Sequence, residues 1–183
     1  MTAAEIIMAL QTIVSRNVSP LDHAVISCTE IHTDGAVNVI PSNVTVSGDV
    51  RTYSPQVQDM IESRMKEVCS HICQMNGTEM EFEYRRAFVP LVNSPECVEA
   101  VREAALKVKG VSGIDCMATP GTGSEDFAHY VKRVKGCYFR LGGRKAENPD
   151  DVAPPHHAKF DYNDDALMTG ADIFAEIVRS RLK

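Results

Sequence analysis

The chain has no excess of positive charge: 19 Lys and Arg stand against 25 Asp and Glu, a formal net charge of −6, and the basic residues are scattered. Binding to nucleic acid requires a clustered basic surface that neutralises phosphates, so that class of partner is excluded. Long apolar runs are missing as well. None approaches the roughly 20 residues of a membrane-spanning helix, and no charged-then-apolar leader opens the chain, so a cytoplasmic protein without membrane contact is expected. The six cysteines lack the spacing of a zinc ribbon or finger and read as reduced thiols. No H-x-x-x-H or C-x-x-C pair supplies a metal site, and no G-x-S-x-G elbow supplies a serine nucleophile. Repeats and low-complexity tracts are absent.

What is present reads as a folding α/β chain. Apolar residues make up 44% and charged residues 24%, the balance of an ordinary globular protein with a buried core. A length of 183 residues suits one domain or two small ones. Ile6, Ile7, Leu10, Ile13 and Val14 recur at helical spacing in "TAAEIIMALQTIVSR", predicting a first helix that stops before Pro20. "HAVISCTEI" alternates and is rich in β-branched residues, "TDG" is a turn, and "VNVIP" and "NVTVSGDVRTY" read as extended, with Val44, Val46 and Val50 on one face. A second helix is predicted from about Ser54 to Met75, with Pro55 in its first turn and "NG" at its end. "TEMEFEYRRAFVP" alternates again and predicts another strand.

A change of texture places a boundary near Asn93. Beyond it, Ser94 and Pro95 open a helix expected to run to Gly110. A short strand at "GIDCMAT", a Gly-rich turn "PGTGSEDF" opening a helix to about Val134, a strand at "GCYFRLGG" and a last helix from about Asp164 follow.

Three places carry possible chemistry. Cys69 and Cys73, four residues apart with His71 between them, either form half a metal site or line the buried face of the second helix beside Met65, Val68 and Ile72; apolar packing is the expected role for thiols so placed. The turn around Gly121, Gly123 and Ser124 lets backbone approach an anion at a helix start, while Ser124, Glu125 and Asp126 serve equally as ordinary first-turn caps. "VAPPHHAKFDYNDDAL" holds His156 and His157 behind two prolines. An imidazole there either ligates a metal or belongs to a polar loop that caps the last helix.

Taken in order, "ALQTIVSRNVSPLDHAVIS", "GAVNVIPSNVTVSGDVRTY", "VPLVNSP", "GSEDFAHYV" and "PPHHAKFDYNDDALMTGA" resemble the metal-dependent amidohydrolases that include hippurate hydrolase, aminoacylase, bacterial carboxypeptidases and plant indole-acetyl-amino-acid hydrolases. The resemblance covers nearly the whole chain. It implies an α/β (α+β) protein in which residues 1–93 form a ferredoxin-like βαββαβ lid and dimerisation domain lacking its first strand. Residues 94–183 would form the C-terminal αβαβα part of a catalytic domain.

By the same resemblance, His156 is the family's last metal ligand, four residues before the aromatic Phe160, with His157 as the neighbouring alternative. Asn38 would polarise the scissile carbonyl, often across a dimer. Arg51, with Arg85 or Arg86, would hold a substrate carboxylate, and Gly121, Gly123 and Ser124 would lie near it. The implied reaction is hydrolysis of N-acyl amino acids, related amides or peptides with two divalent metal ions, Mn, Zn or Co, and the implied partner is a second copy bound through the lid. The family's other metal ligands and its general base have no counterpart motif in this chain, so the chain alone is expected to be inactive. A non-catalytic dimerisation or interaction module derived from such an enzyme is the alternative.

Overall fold

A computed structural model describes residues 1–116, 120–143 and 152–182. They form five helices and one two-stranded antiparallel sheet, in the order α1 (Thr2–Asn17), β1 (Ala24–Thr33), β2 (Val44–Thr52), α2 (Pro55–Met75), α3 (Pro95–Ala105), α4 (Phe127–Val131) and α5 (Asp165–Arg181). Two compact units result, one of Met1–Pro90 with Gly121–Glu125, the other of Leu91–Pro120 with Asp126–Lys183.

In the first unit α1 and α2 pack on one face of the β1–β2 hairpin. Leu10 and Ile13 of α1, Ile26 of β1, and Ile61 and Cys69 of α2 form its core, with Ile13 and Ile61 fully enclosed. Helical spacing in α1 and α2 aims these side chains at the sheet, whose inward residues include Ile26 and Val50. The Ser54 hydroxyl accepts from the Val57 amide, and Pro55 follows at the first helical position, so α2 begins where its sequence signals it.

The hairpin pairs Ala24 with Thr52 at its base and Thr33 with Val44 near its tip, with a bulge between Cys28 and Glu30. Gly48 lies opposite Cys28, and a Cβ there would meet the Ser27 carbonyl oxygen at 2.1 Å. Only glycine permits the two backbones to approach so closely at the bulge.

Several predicted extended segments take another form. Residues 37–41 do not run as a strand: Ala36 and Val39 exchange backbone bonds of 3.2 and 3.0 Å, closing a tight turn that carries Asn38 at the tip of the hairpin. Residues 79–84 keep the predicted alternation, with Met80, Phe82 and Tyr84 half-buried and Glu79, Glu81 and Glu83 exposed, but no ladder forms along them. Alternation is a property of one segment, whereas a ladder requires a neighbour.

In the second unit α3 packs against α5, burying Cys97, Ala104, Ala105 and Ile173. Helix α3 ends at Ala105 rather than at Gly110, because Lys107 and Val108 bond back only three residues, to Ala104 and Ala105, and tighten the chain into turns. Ser94 leaves its expected capping bond unmade and instead accepts from the Gly136 amide at 3.2 Å, while its own amide donates to the Gly136 carbonyl at 2.9 Å. Asn93 continues this connection: its side-chain amide brackets the backbone of Tyr138 with two bonds of 2.8 Å. These contacts hold Gly136 and Tyr138, and "GCYFRLGG" forms no strand among the described residues. The expected strand at 113–119 is absent over its described part, residues 113–116, and 117–119 lie outside the described residues. Helix α4 is a single short turn-and-a-half ending at Val131, before the predicted Val134.

Candidate functional site

Arg51 stands near the end of β2, on the face turned away from the core, and Asp49 stands two residues earlier on the same face. The Asp49 carboxylate accepts from Arg51 Nε and so fixes the plane of the guanidinium. Arg51 Nη1 donates to the carbonyl oxygen of Thr122 at 2.6 Å. Thr122 lies in the Gly-rich turn, which belongs to the same compact unit as Arg51. Two segments 71 residues apart in sequence, an arginine and a glycine-bordered turn, are thus joined by a direct bond.

The arrangement has definite chemical capacity. Asp49 takes the Nε donor and Thr122 takes Nη1, which leaves Nη2 to donate to an anion such as a carboxylate. Gly123 carries no obstruction, since a Cβ there would meet nothing within 4 Å. Arg51 is about half exposed, its side chain retaining 46% of its surface, so the fork is reachable from solvent. Asp49 and Thr122 are the members that sequence reasoning misses. Asp49 has a usable signal, because residues i and i+2 of a strand share a face; the Thr122 carbonyl has none, since a backbone acceptor carries no residue-specific mark.

The other arginines are committed elsewhere. Arg86 donates to Glu62 through Nε at 2.9 Å and again through Nη2, and to Asp59 through Nη1 at 2.6 Å, which fastens residues 84–86 onto α2. These carboxylates hold the Arg86 guanidinium above its ordinary pKa, chiefly by hydrogen bonding from Glu62 and then Asp59. Arg85 forms a fork with the exposed Glu83, at 2.6 and 3.1 Å. A substrate carboxylate at either arginine would have to displace an existing partner.

Asn38 is exposed at the hairpin tip. Seven residues separate Val44, at the tip end of β2, from Arg51, a span of about 23 Å at roughly 3.3 Å per residue. The hairpin therefore holds these two side chains apart, and one small substrate cannot touch both in a single copy.

His156 belongs to the second unit and has φ of 69°, the one non-glycine residue in the left-handed region among the described residues. The turn around it uses His157, whose amide donates to the Pro154 carbonyl, whose carbonyl accepts from Phe160, and whose Nδ1 accepts from the Lys159 amide at 3.1 Å. Among the described residues the His156 imidazole makes no such bond. The choice between the two adjacent histidines as a ligand therefore falls between a turn-holding His157 and a His156 whose backbone is strained.

Among the described residues no group of three or more His, Cys, Asp or Glu side chains could hold a metal ion. One imidazole falls short of the three protein ligands a catalytic zinc commonly has, so the described donor set does not fit a metal centre. Cys69 and Cys73 are buried while His71 between them is exposed, which separates the three and leaves the thiols as core residues. Burial pushes the Cys69 thiol up, with Cys73 and Cys28 adding to the shift, so Cys69 stays protonated and inert near neutral pH. No helix among the described residues is long and apolar enough to cross a membrane.

Comparison with known proteins gives a consistent kinship. The sequence profile of Peptidase family M20/M25/M40 matches residues 7–180. The chain is 30% identical over 175 residues to N-acetylcysteine deacetylase of Bacillus subtilis (strain 168), covering 96% of this chain and 44% of that protein. It is 29% identical over 181 residues to hippurate hydrolase of Campylobacter jejuni, covering 99% of this chain and 46% of that protein. Among solved structures it resembles a Bacillus subtilis dinuclear metal binding peptidase from the M20 family, with a TM-score of 0.76 and 26% identity, over 96% of this chain and 44% of that one. The chain spans less than half the length of each.

Proposed function

The chain belongs to Peptidase family M20/M25/M40, and from that premise we propose that it is the substrate-gripping portion of an amide hydrolase acting on N-acyl amino acids or related peptides. The observation that carries this reading is the bond from Arg51 Nη1 to the Thr122 carbonyl. It joins the arginine and the Gly121–Ser124 turn, the two segments that the resemblance independently associates with a substrate carboxylate. An N-acyl amino acid presents one carboxylate and one amide bond. A guanidinium oriented by Asp49 and Thr122 would donate to the carboxylate through Nη2, a charge-assisted bond that helps to fix where the amide lies.

On this reading Arg51 is the anchor, Gly121, Gly123 and Ser124 form the backbone wall beside it, and Asn38 polarises the scissile carbonyl of a substrate held by another copy. The separation of Asn38 from Arg51 favours that assignment across a homodimer built through residues 1–93. Residues 94–183 carry His156 as a metal ligand. The described residues hold no group of three or more donors for the two metal ions that a family site would use, so no hydrolytic step is assigned to this chain by itself. Arg86, held by Asp59 and Glu62, has the role of fixing the chain against α2.

The test is binding without turnover. Isothermal titration of the 183-residue protein with N-acetyl and N-benzoyl amino acids is expected to yield a measurable affinity that falls about tenfold or more in Arg51→Ala, the scale of losing one charge-assisted contact. The corresponding amino-acid amides, lacking the carboxylate, are expected to bind the wild type as weakly as the variant binds the acids. Equal binding of acids by wild type and Arg51→Ala would remove Arg51 from the site.

The alternative, an interaction module without catalysis, is favoured by a different observation, the strand-like segment 79–84 that pairs with no strand among the described residues.

A further inference from the structure

One contact in the second unit carries a thiol on each side. Ser94 and Gly136 are joined twice: the Ser94 amide donates to the Gly136 carbonyl at 2.9 Å, and the Gly136 amide donates to the Ser94 hydroxyl at 3.2 Å. Cys97 lies in the first turn of α3, its own amide bonded to the Ser94 carbonyl at 2.9 Å, and Cys137 follows Gly136 directly. Asn93 brackets the next residue, Tyr138, with its side-chain amide. The two cysteines therefore sit on neighbouring segments fixed to each other. A disulfide bridge needs Cα atoms about 4.4–6.8 Å apart, the range typical of segments in direct backbone contact.

The surroundings suit sulfur chemistry. Cys97 is buried, and Arg181 Nη2 donates to its Sγ at 3.8 Å. Lys135, whose chief partner is Glu96, also interacts electrostatically with Cys97. Cys137 is half-buried, and its thiol donates to the Tyr138 carbonyl at 3.8 Å. Burial pushes the Cys137 thiol up, and Cys97 and then Cys116 add to the shift, so both of those sulfurs lie near enough for their charge to reach it. Thiol–disulfide exchange passes negative charge from sulfur to sulfur, and a guanidinium against one of them stabilises it there.

We propose that Cys97 and Cys137 form an exchange site for small-molecule disulfides, which they reduce while closing a bridge between the first turn of α3 and residues 136–138. The half-buried Cys137 loses its proton to solvent and attacks one sulfur of the small disulfide, whose S–S bond breaks and whose other half leaves as a thiolate. Cys97 then gives up its proton, and its sulfur, with Arg181 against it, attacks Cys137 Sγ and displaces the second half. Two protein thiols are oxidised by two electrons, and one small disulfide is reduced to two thiols. Once Cys137 is in the mixed disulfide it carries no charge, so repulsion between two sulfur anions is absent from the closing step. The site lies wholly in the second unit and does not depend on the hydrolase reading.

Treatment of the folded 183-residue protein with oxidised glutathione, followed by alkylation and peptide mapping, tests it, with circular dichroism as the check on folding. The wild type is expected to form a Cys97–Cys137 bridge that dithiothreitol reverses, with no glutathione retained on either residue. Cys69 and Cys73, both buried in the first unit, are expected to stay reduced. Cys97→Ser is expected to stop after the first step, leaving glutathione on Cys137. Arg181→Gln is expected to slow closure about tenfold, the scale of removing one charge beside a reacting sulfur, while the first step, read in the Cys97→Ser background, keeps its rate. Glutathione retained on Cys137 of the wild type, both thiols left reduced, a bridge to Cys116 in place of Cys97, or closure indifferent to Arg181→Gln would each overturn the proposal.

Discussion

A methyl group on Gly48 would sit 2.1 Å from the Ser27 carbonyl oxygen, far inside van der Waals contact and against backbone rather than a yielding side chain. Gly48→Ala is therefore expected to destabilise the first unit by about 1–3 kcal/mol, the usual cost of forcing atoms into an occupied position. Thermal unfolding of the variant measures it, and an unchanged midpoint would mean that the bulge opens without cost. His156 presents the converse case. Its φ of 69° suits glycine, so His156→Gly is expected to leave stability unchanged or raise it by up to about 1 kcal/mol while removing the imidazole. A clear loss of stability would show that the imidazole holds the loop together. Neither effect could be read from residue type alone, because both depend on a backbone geometry set by distant chain.

At the scale of elements, the hairpin neck and the helix core respond to different variables. The Asn43 amide and side chain donate to the Asp34 carboxylate at 3.0 and 2.8 Å, and these bonds hold its carboxyl below the usual range. A depressed folded-state pKa means that the stabilisation is present above the unfolded value, near pH 4, and is lost as pH falls through the folded value. The Asn43 amide resonance is expected to shift in that acid window, and Asp34→Asn is expected to abolish the shift. In the core, Ile61 is fully enclosed, and Ile61→Ala is expected to cost about 2–5 kcal/mol in denaturant unfolding.

Elements with strong internal signals were legible in the sequence. Periodic isoleucines mark α1, and Ser54 with Pro55 marks the start of α2. Residues 136–138 misled because Gly136 and Tyr138 are held by Ser94 and by the side chain of Asn93, partners that no periodicity reveals. Residues 79–84 carry the alternation of a strand, but a ladder depends on a neighbour, and none is present among the described residues.

For the whole molecule, the sequence disclosed kinship more fully than geometry. Five ordered motifs pointed to the amidohydrolase family, and the profile match over residues 7–180 agrees with them. Arg51 and the Gly121–Ser124 turn were nominated separately, and the fold joins them through the Thr122 carbonyl, a contact that depends on the chain returning 71 residues later. Arg86 bonds to Asp59 and Glu62 of α2, partners that its own segment does not signal. On the proposed reading Arg51 orients a carboxylate and His156 is a metal ligand; no metal-binding cluster occurs among the described residues.

The decisive measurement is the release of free amino acid from a panel of N-acetyl and N-benzoyl amino acids by the purified 183-residue protein, with and without added manganese or zinc. The account predicts no turnover under any of these conditions from a protein that circular dichroism shows to be folded. Metal-dependent turnover that disappears in His156→Ala would contradict it, because a complete catalytic centre would then have to exist within this chain.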